Sequence, residues 1–405
     1  MRFTRYGRTY QLLIEGAADL QEVLRLDESL WVATSAPISV FRADPQFLTL
    51  VDTDRDGRIH TDELKAAIRW LLDRLADVSR LPEGLGELPL SAIRSDTPEG
   101  EALISSAAYV LGSLGASQQS ISLDQVRRFK ANVQSLPLNG DGVLVPEAAA
   151  EPDLKAFIED VIASLGGTAD ISGKAGVTEA QVQQFMAAVS DYLAWREQGQ
   201  VPSQQASTPL MPLGPRTPQA YSLLRAHADK VDLFFAQCRL VGFEPGASQR
   251  IGDRQAELAA LDISSSQAVG SFLVQAPLAQ PTPNGVLPLC GEALNPAYRE
   301  WVAALREQVL QPVLGSVGET LSEAQWESAK QFLSPYASYV AAKKGAQVQA
   351  VPAERLLAYR DGRLGERAQE LIEADRKVAQ VMEGVGRVEQ LLLYHQGLMR
   401  LVNNF

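Results

Sequence analysis

A chain of 405 residues is long enough for two or three compact units. Hydrophobic residues make up 46% and charged residues 21%, a balance that excludes wholesale disorder, and no apolar run reaches the ~18 residues that a membrane span needs. Forty-nine acids against thirty-seven bases leave a net charge of -12, which opposes non-specific binding to a polyphosphate backbone and suits cations and basic partners.

The chain opens with Arg2, Arg5 and Arg8, but the apolar stretch from Tyr10 to Ile14 is too short for the core of a secretory signal and soon meets Glu15. A cytoplasmic protein is expected. Residues 1–43 read as a small strand-helix-strand element, with alternation from Thr9 to Ile14, helical spacing at Leu20, Val23, Leu24 and Leu26, and an apolar run from Leu30 to Ala33. Over 44–197 the apolar spacing is helical, interrupted by loops that contain glycine. Residues 198–215 (QGQVPSQQASTPLMPLGP) have the composition of an extended linker and set the expected domain boundary.

A second helical domain is expected over 216–405. Thr217 and Pro218 form a cap and first turn, and similar starts recur at Asn295-Pro296, at Ser322 with Gln325, at Ser334-Pro335 and before Pro352. Residues 242–292 are less regular, with Pro277, Pro281 and Pro283 breaking any long helix. The two cysteines, Cys238 and Cys290, are too few and too far apart for a disulfide scaffold or a thiolate metal cluster. A helical pattern through Leu391, Leu392, Tyr394, Leu398 and Leu401 is still running at Phe405, so a longer parent chain is expected.

One stretch carries a specific motif. Residues 52–63 read Asp-Thr-Asp-Arg-Asp-Gly-Arg-Ile-His-Thr-Asp-Glu. A hard cation takes about six to eight oxygens, and carboxylates on alternate residues can converge on it only if the chain coils around the ion. This segment resembles the EF-hand family, with Asp52, Asp54, Asp56, Gly57 and Glu63 on loop positions 1, 3, 5, 6 and 12. The resemblance implies one Ca2+ per chain, with Mg2+ as a competitor, held by Asp52, Asp54, Asp56, the backbone carbonyl of Arg58 and a bidentate Glu63. Gly57 would permit the sharp turn and Ile59 would enter the core. Asp44 and Pro45 start the entering helix, which presents Phe47, Leu48 and Val51, while Leu64, Ala67, Ile68 and Leu71 continue the stripe in the exiting one. His60 departs from the family pattern at position 9.

EF-hands usually pair through the central strands of their loops. Three further stretches resemble degenerate members: 114–125 around Ile121, 137–148 around Leu144, and 170–181 around Val177. Pro137, Ala148 and Lys174 stand where ligands would be needed, and Lys174 is expected to neutralise its own loop. The spacing pairs Leu144 with Val177. Pairing Ile59 with Ile121 would need an insertion, which the proline and glycine residues of 81–100 are expected to supply.

Other chemistry finds little support. His60, His227 and His395 are far apart and lack zinc-type spacing, and the last two read as packing or capping residues. Tyr339 and Lys343 match a Tyr-x-x-x-Lys pair with no Gly-rich turn before it. Arg127, Arg128 and Lys130 read as the solvated face of a helix, and Trp301, Trp326, Phe332, Tyr336 and Tyr339 as core aromatics.

The expected fold is therefore mainly α, built of EF-hand-like helix-loop-helix units. Three functions are compatible with it: a Ca2+-responsive binding or scaffold module with protein partners, a component of a larger assembly with a purely structural Ca2+, and an enzyme whose site the sequence does not advertise. The final LLLYHQGLMRLVNNF also resembles a stretch of uncharacterised bacterial EF-hand proteins that continue beyond it, which implies no function.

Overall fold

The computed structural model describes residues 2–6, 9–117, 119–283 and 285–405, and the fold is mainly α. Arg8 of the basic N-terminus and Gln118 of the second loop fall outside the described residues. No described helix is long and apolar enough to cross a membrane. The chain begins with a hairpin of β1 (Arg2–Tyr6) and β2 (Thr9–Leu13), followed by α1 (Ala17–Val23), which buries Leu20 and Val23. The strand expected from Leu30 to Ala33 lies later, at β3 (Ser35–Pro37). Asp27 caps a 3-10 turn over Glu28–Leu30 by accepting the Ser29 N–H at 2.9 Å, and this local bond overrides the apolar run.

From β3 onward one construction recurs four times: a short strand or bridge, a helix with proline at its start (in the fourth, in a 3-10 turn Pro296–Tyr298 just before it), a second strand or bridge, and a helix with a capped start. The first module comprises β3, α2 (Pro45–Val51), β4 (Arg58–His60) and α3 (Thr61–Leu72). The second comprises β5 (Glu87–Pro89), α4 (Pro98–Ser113), β6 (Ser120–Ser122) and α5 (Leu123–Gln134). In the third, a bridge at Leu144 precedes α6 (Pro152–Leu165), the minimal strands β7 (Thr168–Ala169) and β8 (Ala175–Gly176), and α7 (Glu179–Gln198).

After α8 (Thr217–Ala226) and α9 (Ala228–Phe243) come three short helices, α10 (Ala247–Gly252), α11 (Gln255–Ala259) and α12 (Ser266–Gln275). The fourth module then runs through β9 (Val286–Pro288), α13 (Arg299–Leu305), a π-helical turn, α14 (Gln311–Leu314), β10 (Thr320–Ser322) and α15 (Glu323–Ala341). The chain ends with α16 (Ala353–Asp361) and α17 (Leu364–Asn404), a helix of 41 residues.

The antiparallel register is the same in all four modules: Ala36 faces Ile59, Leu88 faces Ile121, Leu144 faces Val177, and Leu287 faces Leu321. Apart from the half-buried Ala36, all of these side chains are buried, because the central residue of a three-residue strand turns inward while its neighbours turn out. The pairing of Leu144 with Val177 is as expected from the spacing. Ile59 and Ile121 do not pair with each other. The stretch expected to be an insertion supplies Leu88 as the partner of Ile121, and the fourth module carries a partner pair where the sequence suggested only a helix start.

The chain divides into two compact units, Met1–Met186 with Leu357–Phe405, and Ala187–Leu356. The expected division at 198–215 differs from this, since those residues lie inside the second unit and α17 belongs to the first. The reason is visible in α17 itself, where Leu391, Leu392, Leu393, Tyr394 and His395 are buried in succession. Consecutive residues cannot share one helical face, so this part of α17 is surrounded, and it shares a core with Phe47, Ile68, Leu111, Ile121 and Phe129. The second unit has its own core around Phe234, Phe235, Val302, Leu321 and Trp326. Of the expected core aromatics, Trp326 is fully buried, whereas Phe332 is exposed and Tyr339 stacks half-buried on Trp195 at 4.6 Å.

Candidate metal centre

The loop from Asp52 to Glu63 joins two helices with firmly set ends. Asp44 caps α2 through Oδ1, which accepts the Gln46 N–H at 2.9 Å, and Pro45 fits the first turn. Phe47, Leu48 and Val51 fix one side of the loop in the core, and Leu64, Ile68 and Leu71 the other. Between them, Arg55 and Gly57 adopt positive φ, 61° and 81°. For glycine that conformation costs little.

Within the turn the carboxylates organise the backbone. Asp52 Oδ2 accepts the Gly57 N–H at 3.1 Å, Asp54 Oδ1 the Asp56 N–H at 3.1 Å, and Asp56 Oδ1 the Arg58 N–H at 2.7 Å. Glu63 closes the loop from the first turn of α3. Its Oε1 accepts the Thr53 N–H at 2.6 Å and the Thr53 hydroxyl at 2.9 Å, while Oε2 accepts the His60 N–H at 2.9 Å. Burial pushes the Glu63 carboxyl up, but these donors outweigh it, so its pKa lies below the usual value.

Carboxylate oxygens of Asp52, Asp54 and Glu63 all lie within 4.8 Å of one another, and Asp54, Asp56 and His60 form a second such group. Asp52 is only 5% exposed, and its Oδ1 is buried with no hydrogen-bond partner. A buried carboxylate oxygen without a donor, on a side chain close to two other acids, is costly unless a cation or a proton compensates it. The oxygen donor set, hard and anionic, fits a divalent cation such as Ca2+.

The side chain of Arg58 bonds outward to the Ser35 hydroxyl at 2.7 Å, away from the acids. His60 turns inward: its Nε2 lies 3.0 Å from Asp56 Oδ2. That contact raises the His60 pKa and lowers that of Asp56. Thr53, which holds Glu63 through two bonds, escaped sequence reading because its position in the loop carries no ligand.

The first turn of each module's last helix sharpens the role of Glu63. Ser122 with Gln125, Thr178 with Gln181, and Ser322 with Gln325 each form a reciprocal cap in which the glutamine oxygen accepts the backbone N–H of the capping residue. Glu63 occupies the same place. Unlike the glutamines, Glu63 uses both oxygens, one for the cap on the His60 N–H and the other for the Thr53 N–H and hydroxyl.

The other expected sites resolve as structural. Lys174 pairs with Glu147 at 3.4 Å rather than with its own loop. Arg127 and Arg128 are exposed as expected, but Arg127 and Lys130 also reach the buried Glu389, at 3.1 and 2.6 Å. His395 is buried and bonds the Leu85 carbonyl at 3.1 Å, and His227 packs edge-on against Tyr298 and Trp301. No family model, curated protein or solved structure matches this chain.

Proposed function

We propose that residues 52–63 form an EF-hand-type site for one Ca2+ per chain, with Mg2+ as competitor, in a cytoplasmic protein that works through protein partners. Asp52, Asp54, Asp56, Glu63 and the Arg58 carbonyl would hold the ion, which would supply the positive charge that the converging carboxylates lack. The observation that carries this reading is the buried, unpartnered Oδ1 of Asp52 beside Asp54 and Glu63. Isothermal calorimetry of the chelator-stripped chain tests it. One site with a Kd on the order of 10⁻⁷ to 10⁻⁴ M is expected, and absence of heat in millimolar Ca2+ would sink it.

Whether the ion switches a partner surface or only stabilises the fold turns on α2. A sensor changes the angle between its entering and exiting helices, and here Tyr394 on α17 donates to the Leu50 carbonyl at 2.7 Å and Gln46 donates to Glu389 at 3.1 Å, so α2 is held. These ties favour a structural ion. On that reading, partner capture is unchanged after chelation at a temperature where the stripped chain stays folded. Capture that needs Ca2+ would instead support the Ca2+-responsive scaffold.

A further inference from the structure

A cleft of about 860 Å³ opens in the first compact unit between residues 40–47, the start of α5 and the last turns of α17. Val40, Phe41 and Leu123 contribute apolar surface, and three arginines, Arg42, Arg127 and Arg400, line the same space with Asp44 as the one carboxylate among the lining residues. In a chain whose net charge is -12, this is a local reversal of sign.

The arginines are not equivalent. Arg127 is committed, with Asp44 Oδ2 at 2.7 Å and Glu389 Oε1 at 3.1 Å. Arg42 and Arg400 are exposed and, among the described residues, have no ion-pair partner. Glycines pack against both the arginine and the aromatic side of the site. A Cβ on Gly84 would come within 3.4 Å of Arg400 Nη2, and one on Gly397 would meet the Phe47 ring at 2.9 Å. The bare backbone of Gly397 thus lets the Phe47 ring approach α17 closely. Amides of Gln396 and Asn404 complete the polar side.

A guanidinium presents a planar fork of donors that matches carboxylate, phosphate or sulfonate oxygens, and the aromatic floor suits a ring or branched alkyl body. The volume falls within the range of small-molecule sites, about 300 to 1,000 Å³. We propose that this cleft binds a small amphipathic organic anion, its acid group taken by Arg42 and Arg400 and its apolar body by Phe41 and Leu123. A bare inorganic anion would leave the floor unused, and a neutral apolar molecule would leave two cations unmatched. The inference does not depend on the cation site.

The test titrates the whole chain with anilinonaphthalene sulfonate, followed by fluorescence and calorimetry, beside its neutral analogue phenylnaphthylamine and beside sodium sulfate. One sulfonate site per chain is expected, with much weaker binding of either control. The Arg42→Gln, Arg400→Gln double variant should weaken sulfonate binding by roughly tenfold or more and leave the neutral analogue within about twofold. The Arg42→Lys, Arg400→Lys pair keeps the charge but loses the fork, and should fall between. Near-ultraviolet circular dichroism on the same samples checks the fold. Equal sulfonate affinity in all three proteins, equal binding of the neutral analogue, or several equivalent sulfonate sites would overturn the proposal.

Discussion

Two turns in the first compact unit, 54–59 and 139–144, share a backbone design and differ in how their polar groups are satisfied. In both, the first residue accepts the N–H two positions on, Asp54 from Asp56 and Asn139 from Asp141, each at 3.1 Å. In both, the next acid repeats the bond, Asp56 to Arg58 and Asp141 to Val143. Both end in a buried aliphatic residue on a strand partner, Ile59 or Leu144. The difference begins at the glycine. Gly57 donates to Asp52 within its own loop, whereas Gly142 donates to Asp375, which reaches in from α17 at 2.9 Å. Asp375 thereby takes over a role that Pro137 cannot perform. The remaining groups of the second turn are also matched by protein: Ile171 donates to Asp141 Oδ2, and Asn139 to Asp170 Oδ2. One turn is closed by the chain itself and the other keeps an unmatched buried oxygen. The loop proposed to bind a cation is thus the one whose polar groups the protein does not satisfy itself.

Gly140 offers the hardest way to break the closed turn. Its φ is 88°, and a Cβ there would stand 2.7 Å from the Ala379 backbone nitrogen, so Gly140→Ala combines left-handed strain with displacement of α17. A loss of about 3 kcal/mol or more is expected in urea unfolding. The equivalent position in the open turn holds the exposed Arg55 at φ 61°, and Arg55→Gly should be within about 1 kcal/mol of wild type. Similar losses in the two variants would mean that α17 does not constrain the closed turn.

Asp375→Ala comes next. It removes the acceptor of both Gly140 and Gly142, bonds of 2.7 and 2.9 Å to a side chain that is 2% exposed, and should cost about 2 to 3 kcal/mol. Asp375→Asn keeps one acceptor oxygen and should lose less. Equal stability of the alanine and wild-type proteins would show that water replaces the carboxylate.

For the open turn, Glu63→Gln separates capping from charge. Glutamine keeps one acceptor oxygen, enough for the His60 N–H cap as in the other three modules but not also for the Thr53 donors, so the stripped chain should lose about 1 kcal/mol, while Ca2+ affinity falls by at least roughly tenfold. Calorimetry and urea unfolding on the same variant give both numbers. A large loss of stability with unchanged affinity would make Glu63 a cap and nothing more.

The open turn was legible in the sequence because its acids, glycine and glutamate are contiguous, and local spacing is what a sequence displays. The partner strand was not, since Ala36 lies in a Ser-Ala-Pro stretch with no apolar signature. Asp375 lies far along the chain from Gly142, and no local pattern links them. The run of Leu391 to His395 did announce a helix, but periodicity could not say that this helix is surrounded or by which elements. The fourth module shows the same limit from the other side. Ser322 and Gln325 were readable as a helix start, while the repeat appears only when Leu287 is seen facing Leu321.

The smallest expected effect concerns how the closed turn holds its own charge. Asp170 is buried, which alone would raise its pKa, yet donors on Ser172 and Asn139 outweigh the burial and hold it below the ordinary value of 3.8. Between the folded and unfolded values the unfolded chain binds more protons, so stability falls as pH falls. Asp170 therefore contributes its full share above the ordinary carboxylate range, and that share is lost as pH drops through its lowered folded pKa. Replacing Asp170 by Asn retains an acceptor for the Ser172 N–H, now 2.7 Å from Oδ1, and removes the titration. Urea unfolding at several values between roughly pH 6 and pH 3 should give a shallower acid slope for Asp170→Asn than for wild type. Parallel slopes would mean that Asp170 is no better stabilised as an anion in the fold than in the unfolded chain, and the closed turn would then lack the internal compensation that distinguishes it from the open one.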